Sequence, residues 1–341
     1  MNRDSLFLRV ENYIAKKQVS KEHDQLFIRI MAKWPDFVFG YFEIRPDKEI
    51  STTRYGKAIT DEYERILVNQ IKKLKVSLTN PLRFFVLYTD GIEYPQEVMD
   101  LIEKHIVLLG CYSLPGRLYN ELMIPDFNLL GSRDVYQKVV KLATPFSERI
   151  PVAKFRGAQT GGMYNMETVR SLKLPRLRAM HIAKDHPDLL DIRFTLTYDI
   201  QNNGGEEYLR YMKETFGSNA KYERMDTLTS HRYLLSFDGN GATYARQEMI
   251  MASGSVPLFQ TRFVKYWSHF LEDGVNYVRI HDDLSNLVRV VQNLNENPKL
   301  AEAIASNARA LANEVLSPEF QDEYFSYILE TISRKIRGGR M

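Results

Sequence analysis

From Tyr233 to Asn293 the sequence alternates short apolar runs with segments of helical apolar spacing, and this restricts the chain to an α/β fold. Tyr233–Phe237, Val256–Phe259 and Asn276–Ile280 read as strands. Ala242–Ala252, Phe263–Leu271 and Leu284–Asn293 read as helices. Upstream, the strand Val152–Arg156 precedes a helix over Val169–Asp185. Helices between successive strands provide the long crossovers that parallel pairing needs, so parallel sheets covered on both faces are expected. Asn297-Pro298 and Ser317-Pro318 each set a cap residue before a proline at the first helical position, which starts two closing helices.

The first half alternates as well. Ser5–Lys17 reads as helix, Phe37–Ile44 as strand and Thr60–Lys73 as helix. The run Leu82–Tyr88 (LRFFVLY) has the composition of a buried central strand. It stops at the turn signal Thr89-Asp90-Gly91. Pro95 starts a helix through His105, Ile106–Leu109 is a further strand, and Tyr112–Arg133 reads as loop. A chain of 341 residues exceeds one small core. Pro145 and Pro151 interrupt the pattern and place a boundary there. The expected organisation is a first domain over 1–148, a second over 149–316, and a terminal helix in 317–341 that packs back on the first.

Composition narrows the function. The one cysteine, Cys111, permits no internal disulfide. No apolar run approaches the roughly 20 residues of a membrane helix. Met1–Val10 alternates polar and apolar residues, unlike an export signal, so a cytoplasmic location is expected. A net charge of +3 without a basic stripe argues against nucleic acid as a partner. The basic tail (Arg334, Lys335, Arg337, Arg340) reads as a solvated helix end able to touch an anionic membrane surface weakly.

The segment 231–260 carries the most chemistry. A strand runs into Asp238-Gly239-Asn240-Gly241 and a helix follows. Glycines let a backbone turn sharply against a ligand, and amides at a helix start favour anions. Thr243 opens that helix, and Arg246 is expected one turn in, its guanidinium leaning back toward the same space. Ser253-Gly254-Ser255 closes the helix with two hydroxyls. An ordinary tight turn with a surface arginine fits the same residues. A second segment, Lys154–Gly162, also follows a strand. Its Arg156, Gly157 and Thr160, with Arg170, Arg176 and Arg178 downstream, supply a flexible backbone and cations; a solvated basic helix is the alternative. A general base is expected from Asp90, or its rival Glu93, at the carboxyl end of the strand Leu82–Tyr88. There is no Asp-x-Asp, no His-Glu-x-x-His and no cysteine cluster, so no metal and no cofactor are expected. His231 and His281 flank strands of the second half, where most histidines are packing residues.

Taken together these segments resemble one family. The 231–260 segment, NYVRIHDDLSNLVRVVQNLNENPKLAEAIASNARAL (276–311), FRGAQTGG, HPDLLDIRFT, IPDFNLL and FFVLYTDGIEYPQ are similar to motifs of the protein O-glucosyltransferase and capsule-associated glycosyltransferases, family 90. The resemblance covers roughly residues 80–330. It implies a GT-B architecture, two Rossmann-like domains facing each other across a cleft. It also implies a UDP-sugar donor (glucose or xylose), a glycan or protein hydroxyl as acceptor, inversion at the anomeric carbon and no metal. Arg156, Thr160, Arg176, Gly241, Thr243 and Arg246 match positions near the donor's diphosphate and ribose, and Asp90 or Glu93 the base. Phe259 stands where the family often has lysine.

Overall fold

The computed structural model describes residues 3–34, 38–56, 61–88, 96–114, 122–131, 139, 144–196, 205–224, 228–243 and 245–335. The chain forms two compact units. One comprises Met1–Arg133, Phe263–Phe270 and Ser317–Met341; the other comprises Asp134–Arg262 and Leu271–Leu316.

The first unit contains α1 (Arg3–Ala15), α2 (Lys21–Met31), β1 (Phe39–Ile44), β2 (Ile50–Tyr55), α3 (Asp61–Lys73) and β3 (Leu82–Leu87). It continues with α4 (Gln96–His105), β4 (Leu108–Gly110), β5 (Leu122–Met123) and α5 (Phe127–Gly131). Its sheet runs β2-β1-β3-β4-β5. The apolar run Leu82–Leu87 is the central strand, with Phe84, Phe85 and Val86 buried. The sheet is mixed, not parallel: β1 pairs antiparallel with β2 and with β3. Ile44 pairs with Ile50, and the turn closing them is too short for a crossover, so only a hairpin can join these strands. Phe27, Phe39 and Phe85 form the nucleus of one core, with ring centroids of Phe27 and Phe85 4.6 Å apart.

The second unit contains β6 (Ile150–Ala158), α6 (Met166–Arg170), α7 (Pro175–Asp185), β7 (Leu190–Leu196), α8 (Gly205–Phe216) and β8 (His231–Phe237). Then come α9 (Arg246–Ala252), β9 (Val256–Gln260), β10 (Val278–Arg279), α10 (Leu287–Glu296) and α11 (Pro298–Val315). The last helix, α12 (Pro318–Lys335), groups with the first unit. All strands of the second sheet are parallel, in the order β10-β9-β8-β6-β7. From β6 the chain first adds β7 on one side and then β8 on the other, so the winding reverses between β6 and β8. Ligands of open parallel sheets bind outside the carboxyl ends of strands at such a reversal.

Three helices differ from the sequence expectation. Val169–Asp185 is two helices, because Pro175 lacks an N–H and disfavours helical geometry at Leu174; Leu172 between them takes φ 51°. Phe263–Leu271 is a crossing segment: Ser113 and Val264 exchange two backbone hydrogen bonds of 2.9 and 2.8 Å, and Tyr266 and Trp267 are buried. Its apolar spacing reports burial on one side, which an irregular segment satisfies equally. The helix expected from Ala242 starts at Arg246.

Candidate functional site

The reversal point is built from two turns that interlock beyond β6 and β8. Asn240 Oδ1 accepts the Gly161 N–H at 3.0 Å. Gly161 sits at φ 106°, and a Cβ there would lie 3.2 Å from Asp238 O. A Cβ on Gly239 would lie 3.0 Å from Thr160 Oγ1 and 3.2 Å from Arg176 Nη2. Glycine at both positions is therefore what lets the turns approach each other.

Arg176 projects from the first turn of α7 into this junction. Its Nη1 donates to Ala158 O at 2.7 Å and to Thr160 Oγ1 at 2.5 Å, and its Nη2 donates to Phe237 O at 2.9 Å. One guanidinium thus staples the carboxyl ends of β6 and β8, and its buried Nε has no partner. Burial holds its pKa below the ordinary arginine value.

Arg246, the first residue of α9, lies over the same aromatic ring. Its guanidinium carbon is 5.1 Å from the Phe155 centroid, and that of Arg176 is 5.5 Å. Phe155 lies across Gly157, where a Cβ would fall 2.6 Å from the ring. Gly157 thus makes room for the ring that carries both cations. Among the described residues Arg246 has no hydrogen bond and no ion pair, and Arg176 pairs with no carboxylate. Burial, and secondarily the charge of Arg176, push the Arg246 pKa down to about 10. Two cations share one ring and repel each other; among the described residues neither forms an ion pair with a carboxylate, although Asp238 lies within electrostatic reach of Arg176, so a bound anion would relieve the site's charge.

The remaining sequence candidates are placed as follows. Asp238 ties the next loop: its Oδ2 accepts the Arg262 N–H at 2.7 Å and its own N–H donates to Gln260 Oε1 at 3.3 Å. Burial raises its pKa to about 6, against the lowering effect of the Arg262 N–H. Gly241 O accepts the Gly239 N–H at 3.1 Å, and buried Thr243 has its hydroxyl 3.0 Å from Ser236 Oγ. Arg178 lies about 200° around α7 from Arg176, so the two face different directions.

Arg156 is not brought to the junction. Side chains alternate along a strand, so Phe155 and Arg156 point to opposite faces of the sheet. Every donor group of Arg156 is occupied. Its Nε donates to Glu223 Oε1 at 2.8 Å, its Nη2 to Asp191 Oδ2 at 2.5 Å and its Nη1 to the carbonyls of Phe155 and Asp191 at 2.9 Å each. Ser253, Gly254 and Ser255 lie at the other end of the sheet, because a crossover helix that starts at the carboxyl ends finishes at the amino ends. There Ser253 O and Ser255 Oγ accept from Arg149 at 3.1 and 2.8 Å, and Ser255 Oγ donates to His231 O at 2.8 Å. His231 is at that end too, its pKa lowered to about 4 by burial first and Lys154 second. Phe259 packs against Tyr277, centroids 6.0 Å apart. Asp90 and Glu93 lie outside the described residues. In the tail, Glu11 engages both Arg334 (2.7 Å) and Lys335; Arg337 and Arg340 lie outside the described residues.

Phe155 is the site residue that sequence reading missed. The signal was there: a glycine two positions on, at Gly157, leaves the same strand face open for a large ring. Among the described residues no group of three or more His, Cys, Asp or Glu side chains is placed to hold a metal ion. No described helix is long and apolar enough to cross a membrane.

Comparison with known proteins supplies the relationship. Human protein O-glucosyltransferase 3 is 27% identical over 276 residues, which are 73% of this chain and 52% of that protein. O-glucosyltransferase LpsA of Dichelobacter nodosus is 33% identical over 91 residues, 26% of this chain and 28% of that protein. The chain thus spans about half the length of the human relative. The solved structure of Anabaena Alr3699/HepE in complex with UDP and glucose is similar at a TM-score of 0.42 and 13% identity, over 75% of this chain and 74% of that one. Residues 116–337, well over half of the chain, match the family described as glycosyl transferase family 90, and the chain belongs to that family.

Proposed function

We propose that this protein is a glycosyltransferase that moves glucose or xylose from a UDP-sugar to a hydroxyl of a glycan acceptor of the surface-polysaccharide or lipopolysaccharide type, or of a protein. The transfer inverts the anomeric carbon, uses no metal and runs on a GT-B architecture in the cytoplasm. The observation that carries this reading is Arg246: a guanidinium whose pKa burial lowers and which has no hydrogen bond or ion pair among the described residues, beside Arg176, at the point where a parallel sheet binds its ligands.

In a single displacement the acceptor oxygen attacks the anomeric carbon as its proton passes to a carboxylate, Asp90 or Glu93. The bond from that carbon to the β-phosphate oxygen breaks, and UDP leaves with the electron pair. Charge therefore develops on the diphosphate. A cation already stripped of water offsets it more strongly than one in bulk solvent would. Arg246 supplies that charge, and Arg176 holds the backbone around it.

The test is turnover of UDP-glucose and UDP-xylose in EDTA, with transfer and donor hydrolysis followed separately. Activity that survives chelation, and that Asp90→Asn or Glu93→Gln abolishes while UDP still binds, is the expected result. UDP binding with neither transfer nor hydrolysis of any UDP-sugar would make this a non-catalytic nucleotide-binding or glycan-binding protein.

A further inference from the structure

The loop between β6 and α6 joins the junction on the side of Phe155, the ring that carries both cations. Its first half is pressed down. Thr160 Oγ1 receives Arg176 Nη1 at 2.5 Å, and the Gly161 N–H donates to Asn240 Oδ1 at 3.0 Å. Gly162 takes φ 141° and lies so close to Leu174 that a Cβ there would fall 2.7 Å from its side chain. Two glycines in succession, at φ values that residues with a Cβ rarely adopt, pack the backbone itself against the layer below. The second half is pinned as well. Thr168 Oγ1 donates to Met163 O at 2.9 Å, and the hydroxyl of buried Tyr164 donates to Thr160 O at 2.9 Å, which closes the loop on itself.

Between these anchors stands Met163, which is 73% exposed. A lone exposed apolar side chain is ordinary on a protein surface. Met163 differs because its backbone is held on both sides and its place is fixed by the chain. Two residues on from Gly161, its Cα lies within about 8 Å of the Gly161 Cα, and Gly161 is the residue that touches Asn240 in the junction. A thioether is thus presented at the rim of the cationic site. The diphosphate of a donor calls for cations, and its ribose and sugar hydroxyls call for hydrogen-bond partners, which a thioether supplies poorly. The flat face of a base is the part of a nucleotide sugar that a polarisable apolar side chain contacts best.

We propose that Met163 is the apolar wall against which the nucleobase of the donor packs while its diphosphate is held at Arg246. The inference rests on the donor-site reading above and assigns the base contact of that same site. Contact with a flat face leaves the choice among bases to their edges, so Met163 is a positioning residue for the nucleotide and takes no part in the transfer itself.

The experiment reads Met163 directly. The full-length wild type is oxidised with dilute peroxide alone, with UDP and with inorganic pyrophosphate, and sulfoxide is located by mass spectrometry in the tryptic peptide Gly157–Arg170. That peptide also holds Met166, which is partly buried against the core of the second unit and serves as the internal reference. UDP should slow oxidation of Met163 several-fold relative to Met166, and pyrophosphate, which has no base, should not. Titration of UDP should show Met163→Ala weakened about two- to tenfold, the range of one thioether–ring contact, with Met163→Leu close to the wild type. Bound UDP that leaves Met163 unprotected overturns the proposal. So does equal protection by pyrophosphate, unchanged UDP affinity in Met163→Ala, or an equal loss in Met163→Leu, which would mean a disturbed loop. A wild type that does not bind UDP removes the donor-site reading itself, and the base contact with it.

Discussion

Arg176 and Arg246 share one ring and do different work. Arg176 makes three hydrogen bonds across the ends of β6 and β8. Arg176→Ala leaves two strand-end carbonyls and the Thr160 hydroxyl without that donor, and should cost about 3 kcal/mol of stability, read as a lower denaturation midpoint. Arg246 makes none of these bonds and is repelled by its neighbour, so Arg246→Ala should leave stability within about 1 kcal/mol of the wild type or raise it. Gly157→Ala tests the ring directly. The added methyl collides with Phe155, so donor affinity should fall through displacement of both cations, while Gly205→Ala, at the first residue of α8 where nothing lies within 4 Å and the strain of φ 59° is local, leaves affinity unchanged. The positions of both arginines and of the Gly239 turn beyond the strand ends, though not their roles, were legible in the sequence from residue type and place after a strand. Arg156 was not separable from them. Only the two-residue period of β6 sends it to the far face, where Asp191 and Glu223 meet it, and those partners are distant in sequence.

At the scale of elements, each crossover helix has one end at the ligand side of the sheet and one at the opposite side. The sequence shows a glycine turn, a helix and a Ser-Gly-Ser as one continuous motif. The sheet divides it, with Arg246 at the carboxyl ends and Ser253–Ser255 at the amino ends. Arg149→Ala should therefore lower the melting temperature, through loss of its bonds to Thr144 O, Ser253 O and Ser255 Oγ, while UDP affinity stays as in the wild type. Equal loss of affinity would return 253–255 to the binding site. Periodicity identified β6, β8, β9 and β10 of the second sheet, whose apolar runs are short and bounded by glycine. It did not identify β2, β7, α2 or α8, whose apolar residues are fewer and interrupted by charge, nor β5 and α5, which are too short to show a period. Nor could it distinguish the Phe263–Phe270 segment from a helix, since that segment's partners, Ser113 and α12, lie far away along the chain.

At the scale of the molecule, each unit carries buried groups whose ionisation opposes folding. His231 in the second unit and His269 in the first have folded pKa values lowered to about 4, by burial first and then by Lys154 and Arg9 respectively. The unfolded chain binds more protons below its histidine pKa of about 6.5. Stability from these groups is thus complete above that pH and is lost as pH falls toward 4. Asp24 and Asp238 run the other way. Raised to about 6 by burial, they favour the fold when neutral, fully below about pH 4, and that contribution is lost as pH rises through 6. Thermal melts from pH 4 to 8 should show the two effects offsetting each other. In His231→Asn the second unit's transition should fall less on acidification from 6.5 to 4 than in the wild type; an unchanged slope would contradict the assignment.

The central claim is that the cation pair on Phe155 grips a nucleotide diphosphate without a metal. Titration of UDP in EDTA into the wild type and Arg246→Ala, with melting temperatures recorded on the same samples, tests it most directly. The account predicts that the wild type binds UDP under chelation, and that Arg246→Ala loses affinity by about tenfold or more, the scale of one charge-assisted contact of roughly 1.5–3 kcal/mol, with no drop in melting temperature. Equal UDP affinity in the two proteins would contradict it.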